Sequence, residues 1–322
     1  MTRMRAVVTG AAGFVGSHLT ERLVAEGYGV LAIDCLTEYY DLGQKLSNLE
    51  ALAALPNCEI ARVDLRDGDL QPLLADADVV FHQAGQPGVR ASWSDGFVPY
   101  VEHNVLVTQR LLEAVKDVGV RRFVYASSSS VYGNATSYPT DEDDMPRPQS
   151  PYGVTKLAAE HLCGVYARTW GVPTVALRYF TVYGPRQRPD MAMHRLIEAA
   201  MAGSPFPLYG DGRQIRDFTY VGDVVEANLL AAGADVVPGS VLNIAGGTAT
   251  SLLEVVEIVG DLVGRPVMLE RRPAEAGDVE RTGGSSRRAA EALGWSPEVR
   301  LPKGLAEQVR WHAGRVRSGA LA

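Results

Sequence analysis

Short apolar runs alternate with longer amphipathic stretches along the first part of the chain. The runs Ala6-Val7-Val8-Thr9, Gly29-Val30-Leu31-Ala32-Ile33, Glu59-Ile60-Ala61-Arg62-Val63, Asp78-Val79-Val80-Phe81, Arg122-Phe123-Val124-Tyr125-Ala126 and Val175-Ala176-Leu177-Arg178-Tyr179 have the length of buried strands. Residues 18–25, 98–117 and 151–169 between them carry helical spacing. This alternation predicts an α/β fold, a doubly wound and mostly parallel sheet of the Rossmann type. Ligands on such sheets bind at the C-terminal strand ends. Asp34, Asp64, Ala84, Ser127 to Ser130 and Thr181 stand at those ends and are expected to line one crevice.

Beyond residue 180 arginine, proline and glycine become dense. Asp190 is placed to cap a helix reaching Ala202, and Ser251 with Glu254 reads as a capping box for a helix to about Val263. Strands fit 241–245 and 267–270, and amphipathic helices fit 286–293 and 302–313. The expected division is an NAD-binding domain over 1–180 and a smaller α/β substrate-binding region over 181–322, with the chain free to cross between them. The acidic run Asp141-Glu142-Asp143-Asp144 reads as a solvated loop.

Two stretches add chemistry to this frame. Gly10-Ala11-Ala12-Gly13-Phe14-Val15-Gly16 follows the first strand at once and opens a helix. In that context the glycines let the backbone approach a pyrophosphate, and the helix N-terminus faces it. Asp34 ends the second strand about 20 residues on, where a carboxylate binds the ribose hydroxyls and repels a 2′-phosphate, so NAD is expected over NADP. In the second stretch Ser150 caps a helix, Pro151 suits its first turn and Gly171 ends it. Tyr152 and Lys156, four residues apart, project from one face of that helix. Bringing a tyrosine from its ordinary pKa to near 7 takes roughly 4 kcal/mol. One positive charge at about 5 Å in an effective dielectric near 20 supplies roughly 3 kcal/mol. A second positive charge, such as an oxidised nicotinamide ring, supplies the remainder.

Bulk composition narrows the partners. A net charge of −7 argues against a nucleic-acid binder working through a broad basic face, yet permits an anionic small ligand held by local arginines. Cys35, Cys58 and Cys163 are too few and scattered for a disulfide frame or a metal motif, and the six histidines show no ligand spacing, so no metal is expected. The N-terminal residues lead straight into a strand without a signal sequence, and no apolar run approaches about 18 residues. A cytoplasmic protein without a membrane partner is expected.

The chemistry-bearing residues sit in longer motifs: G-A-A-G-F-V-G-S-H-L, H-Q-A-G-Q-P-G-V-R-A-S, S-S-S-S-V-Y-G, Y-G-V-T-K, R-Y-F-T-V-Y-G-P-R-Q-R-P-D and Y-G-D-G-R-Q-I-R-D-F-T-Y-V-G-D-V. In this order, over nearly the whole chain, they resemble the extended short-chain dehydrogenase/reductase family of nucleotide-sugar epimerase type. UDP-glucuronate 4-epimerases come nearest and UDP-glucose 4-epimerases next. The resemblance implies an isomerase with tightly bound NAD. It would epimerise a UDP-sugar at C4, first UDP-glucuronate to UDP-galacturonate, through a transient 4-keto sugar.

Residue by residue, the resemblance makes Tyr152 the base on the sugar 4-hydroxyl. Lys156 would lower the Tyr152 pKa and hold the nicotinamide ribose. Ser128 would hydrogen-bond the reacting oxygen, with Asn104 in a supporting place. Gly10, Gly13, Phe14, Val15, Gly16, Asp34, Asp64, Leu65 and Ala84, with Tyr152 and Lys156, would hold NAD. Arg216 would grip the diphosphate, helped by Arg186 or Arg188, because a guanidinium forks onto phosphate. Asp278 would contact the UDP ribose, and Arg90 would face the substrate or brace its loop.

Related sugar 4,6-dehydratases and UDP-glucuronate decarboxylases carry an acid just before V-Y-G. Here Ser129 and Ser130 stand there, so proton transfer across C5 and C6 is disfavoured. With Thr181 their hydroxyls suit a C6 carboxylate; the alternative is that the serines only fill a tight turn. The runner-up is a UDP-glucose 4-epimerase, followed by a decarboxylase or dehydratase, and last a non-catalytic NAD-binding sensor. The family also implies a homodimer through helices 98–117 and 151–169. Departures from the family pattern fall at Ala274-Glu275-Ala276 and Gly283-Gly284-Ser285, near the nucleotide end.

Overall fold

Seven strands form one parallel sheet: β1 (Arg5–Thr9), β2 (Gly29–Asp34), β3 (Cys58–Arg62), β4 (Val79–His82), β5 (Arg122–Ser128), β6 (Thr174–Tyr179) and β7 (Ser240–Ile244). Their order is β3-β2-β1-β4-β5-β6-β7, and every neighbouring pair is parallel. The computed structural model describes residues 3–275 and 277–317. Helices cover both faces of the sheet, which is why its central strands read as near-continuous apolar runs, while β3 at the edge is only partly buried. Along β1, Ala6 and Val8 face Leu19 and Leu23 of helix Phe14–Ala25, while Val7 joins Leu111, Leu112 and Ala159 on the other side. The strand order reverses between β1 and β4, and a crevice opens there.

After residue 180 the chain returns to this sheet. The run expected in the smaller region is the edge strand β7, bonded along β6 from Ser240 to Ile244. Its burial covers backbone groups on β6 that would otherwise be an open edge. Helix Val221–Gly233 also packs on the large sheet through Val224 and Ala227. The smaller core forms around Leu196, Val255, Val259 and Leu305, from helices Ala192–Ala202, Leu252–Val263 and Leu301–Arg317. Two short strand pairs flank it, Phe206–Tyr209 with Leu269–Arg272 and Ile215–Asp217 with Ala249–Ser251.

Several local expectations hold at atomic detail. Ser150 Oγ accepts from Gly153 N at 3.1 Å, Gly171 closes that helix at φ 70°, and Ser251 with Glu254 makes the capping box. Two do not. Asp190 caps nothing: the helix starts after Met191, and the carboxylate accepts both forks of Arg188 at 2.9 Å. Nor is the acidic run wholly solvated, because Glu142 is buried and accepts from the backbone N–H of Asn243 at 2.7 Å. Behind the serine turn lies a buried ion pair, with Arg178 Nη2 2.6 Å from Glu160 Oε1. Ser127 Oγ donates to the same carboxylate at 2.7 Å, so Ser127 anchors the turn.

Candidate active site

A cavity of about 390 Å³ opens at the crevice, within the size range of small-ligand sites. One end is the glycine loop. Gly10 has φ +69°, and a Cβ on Gly16 would stand 2.1 Å from the carbonyl oxygen of Gly10. Only glycines allow this close turn, and Gly13 caps helix Phe14–Ala25 with no side chain, leaving its first N–H groups for phosphate oxygens. Asp34 is aimed by two backbone donors, Ala12 N at 3.0 Å and Leu36 N at 2.8 Å. Asp64, Leu65 and Ala84 line the same cavity, with Phe14 and Val15. Asp64 is gripped by Arg66, whose hydrogen bonds hold its carboxyl below the usual range. These residues fit a dinucleotide: a close backbone cradle, a helix terminus and a carboxylate at the end of the second strand.

At the other end stand Tyr152, Lys156, Ser128, Ser129, Ser130, Thr181 and Arg188. Ser128 Oγ accepts from Ser130 N at 3.1 Å, which fixes the turn that displays the three hydroxyls. Burial pushes the Tyr152 phenol above its ordinary range, while a hydrogen bond with Ser128 and the charge of Arg188 pull it down. Burial lowers Lys156 to about 8, and its ammonium lies 4.6 Å over the ring of Tyr125. Ser128 and Arg188 oppose the rise of Tyr152 without reversing it, and the Lys156 ammonium, expected to lower Tyr152, is turned toward Tyr125. A raised phenol still needs a further positive charge beside it to ionise near neutral pH.

Asn104 is in the wall, not the cavity. It lies in the π-turn Val101–Leu106, a form frequent at functional sites, and is buried. Its amide oxygen accepts from Gln86 N at 2.7 Å and its amide nitrogen donates to Gln86 O and Thr155 Oγ1, each at 3.0 Å. One side chain thus ties the loop after β4 to the turn between Tyr152 and Lys156.

The remaining arginines separate. Arg90 Nη2 donates to Asp278 at 2.8 Å, and its guanidinium stacks 4.2 Å from the Tyr209 ring centroid. The charge of Asp278 acts on Arg216, whose own pKa is lowered mainly by burial, so these three gather outside the cavity lining. Arg186 is not with them. It turns onto Glu21 of the glycine-loop helix, whereas Arg188, the alternative expected beside it, lines the cavity. Ala276, one of the departures, lies outside the described residues. Cavity residues that sequence reading passed over include Tyr39, Tyr40, Lys45, Gln83 and Gln86. Most sit in turns without periodicity. Gln83 directly precedes Ala84 at a strand end and Gln86 follows two residues after it, which was the available signal.

The family model "NAD dependent epimerase/dehydratase family" matches residues 6–245. The chain belongs to this family. It is 41% identical over 309 residues to the "Uncharacterized UDP-glucose epimerase YtcB" of Bacillus subtilis (strain 168), covering 96% of this chain and 98% of that one. The solved UDP-glucuronic acid 4-epimerase from Bacillus cereus, in complex with UDP-glucuronic acid and NAD, is 41% identical with a TM-score of 0.94, covering 97% of this chain and 99% of that one. MoeE5, solved with UDP-glucuronic acid and NAD and again with UDP-glucose and NAD, is 44% identical with a TM-score of 0.88. The match to MoeE5 covers 96% and 97% of this chain in the two complexes and 99% of that chain.

Proposed function

We propose that this member of the family interconverts the C4 epimers of a UDP-sugar with resident NAD, acting first on UDP-glucuronate and UDP-galacturonate. The observation that carries the reading is the meeting of Tyr152 and Ser128 with the Ser129, Ser130 and Thr181 hydroxyls at the far end of the glycine-loop cavity. The glycine-loop residues and Asp34 would hold NAD, which would supply a reversible acceptor for the C4 hydride. Tyr152 Oη removes the 4-hydroxyl proton and gives it back to the opposite epimer. Ser128, already hydrogen-bonded to Tyr152, holds the reacting oxygen. Lys156 serves the nicotinamide ribose, and Asn104 is a positioning residue that acts through Gln86 and Thr155.

The hydroxyls of Ser129, Ser130 and Thr181 donate to the C6 carboxylate and hold it out of line with the C4 carbonyl. This matters because a 4-keto uronate is a β-keto acid. No acid stands among the three, so elimination lacks its proton carrier. Arg216, helped by Arg188, would bind the diphosphate, with Asp278 at the UDP ribose and Arg90 paired to it. The second reading, a UDP-glucose 4-epimerase, is favoured by MoeE5, which is solved with either sugar nucleotide.

Val98, Val101, Leu106, Val154 and Val165 are exposed on the helical stretch 97–115 and on helix Pro151–Trp170, which supports a homodimer through these two elements. Among the described residues no helix is long and apolar enough to cross a membrane. The three free cysteines suit a reducing compartment such as the cytoplasm.

Separate incubation with UDP-glucuronate and UDP-glucose, with products identified by NMR, tests the reading. Galacturonate from glucuronate is expected. Conversion of the neutral sugar alone promotes the second reading, and a pentose product replaces both with decarboxylation. Tyr152→Phe is expected to lose about 10²–10⁴-fold in turnover while keeping its NAD.

A further inference from the structure

Away from the cavity, the packing of the C-terminal helix leaves a polar problem unsolved. Helix Ala192–Ala202 carries His194 and Glu198 one turn apart, and helix Leu301–Arg317 brings His312 against them, with the imidazole centroids 4.4 Å apart. His312 is 1% exposed, yet neither of its ring nitrogens has a hydrogen-bond partner among the described residues. Native interiors rarely leave such atoms unpaired. His194 has the opposite difficulty. Its Nδ1 lies 2.6 Å from the carbonyl oxygen of Gln187 and its Nε2 lies 3.0 Å from Glu198 Oε1. Both partners only accept, and a neutral imidazole has one N–H to give.

One ligand atom from each of His194, Glu198 and His312 lies within 4.8 Å of the others. We propose that these three side chains bind one divalent cation of the zinc type, which clamps the C-terminal helix onto helix Ala192–Ala202. The cation takes the lone pair of His194 Nε2, and Nδ1–H is left to donate to the Gln187 carbonyl, the outer-shell bond that orients a metal-bound histidine. It takes one nitrogen of His312, ending that ring's isolation, and one oxygen of Glu198. Two imidazoles and a carboxylate suit zinc and its first-row neighbours, whereas magnesium and calcium prefer all-oxygen shells. Zinc–ligand bonds of about 2.0–2.1 Å put tetrahedral ligand atoms roughly 3.3 Å apart; His194 Nε2 and Glu198 Oε1 already stand 3.0 Å apart, so the pair must open slightly and the gap to His312 must close. Glu198, with 37% of its side chain exposed, has the freedom to do so and gives the ion a route from solvent. None of the three lines the epimerase cavity, so the site is separate from the reading above.

The test uses the full chain, treated with chelator, dialysed and titrated with Co²⁺ and then Zn²⁺. One Co²⁺ per chain with visible d–d absorption, displaced by Zn²⁺, is expected. At a hundredfold excess over the dissociation constant Zn²⁺ should raise the melting temperature by about 4 °C, with no such rise from Mg²⁺. Glu198→Gln, on a half-exposed side chain that tolerates change, should weaken Co²⁺ binding by about tenfold or more. His312→Phe, which keeps a ring in place, should abolish the absorption and melt no lower than the metal-free parent. Absence of the absorption at millimolar Co²⁺, or absorption unchanged in both variants, overturns the proposal.

Discussion

Glu160→Gln removes one charge from beneath the serine turn without changing the shape of the side chain. Both members of the Arg178–Glu160 pair are 4% exposed, and the guanidinium reaches the carboxylate twice, at 2.6 and 3.0 Å. In the variant Arg178 keeps its charge, with the Tyr132 hydroxyl and the Glu142 carbonyl as its other acceptors. The new amide NH₂ must also point a donor at the guanidinium or at Ser127, where an oxygen now accepts from Ser127 Oγ. Losing one partner of a buried, hydrogen-bonded pair costs about 3–5 kcal/mol. Unfolding entropy for a chain of this size is roughly 0.7 kcal/mol/K, so the melting temperature should fall by about 4–7 °C. Scanning calorimetry and urea unfolding measure it. The double variant Glu160→Gln with Arg178→Met, which removes the stranded charge, should recover most of the loss. A fall below about 1 °C, or a double variant no better than the single one, refutes the reasoning.

Three further outcomes are expected. Gly16→Ala pushes a Cβ to 2.1 Å from the Gly10 carbonyl, so the loop must shift; purified protein should lose its NAD, read by absorbance after heat release. Asp34→Asn removes the carboxylate proposed to bind the NAD ribose, near the cation Lys45, and should raise acceptance of NADP relative to NAD in a binding titration. His82 is fully buried between Thr9 and Thr108, and burial, then the charge of Lys156, holds it down to about 3. Its folded pKa lies below the unfolded value. Its contribution is therefore intact above about 6.5 and is lost, at roughly 1.4 kcal/mol per pH unit, as pH falls toward 3. His82→Asn should flatten the stability profile across that window in chemical denaturation, and an unchanged slope would exclude the effect.

Much of this was legible in the chain because the signals were local. The strands of the large sheet announce themselves by apolar length, and the glycine loop and the Tyr152 helix by turn and cap chemistry within a few residues. What escaped depends on distant partners. Arg186 looked like a phosphate ligand until Glu21 appeared beside it, and Glu142 looked solvated until the edge of β7 covered it. The direction of Lys156 could not be read from a four-residue spacing, since the Tyr125 ring that receives it comes from a separate strand. His312 is brought to His194 only by the packing of two helices far apart in sequence.

The return of the chain to the large sheet has a consequence for how the molecule can be cut. A fragment ending near residue 180 would keep the glycine loop and Tyr152 but leave β6 without its neighbour β7 and expose the apolar floor beneath Val224 and Ala227. The two portions are stitched by this out-and-back path. Neither should survive as an independently expressed piece.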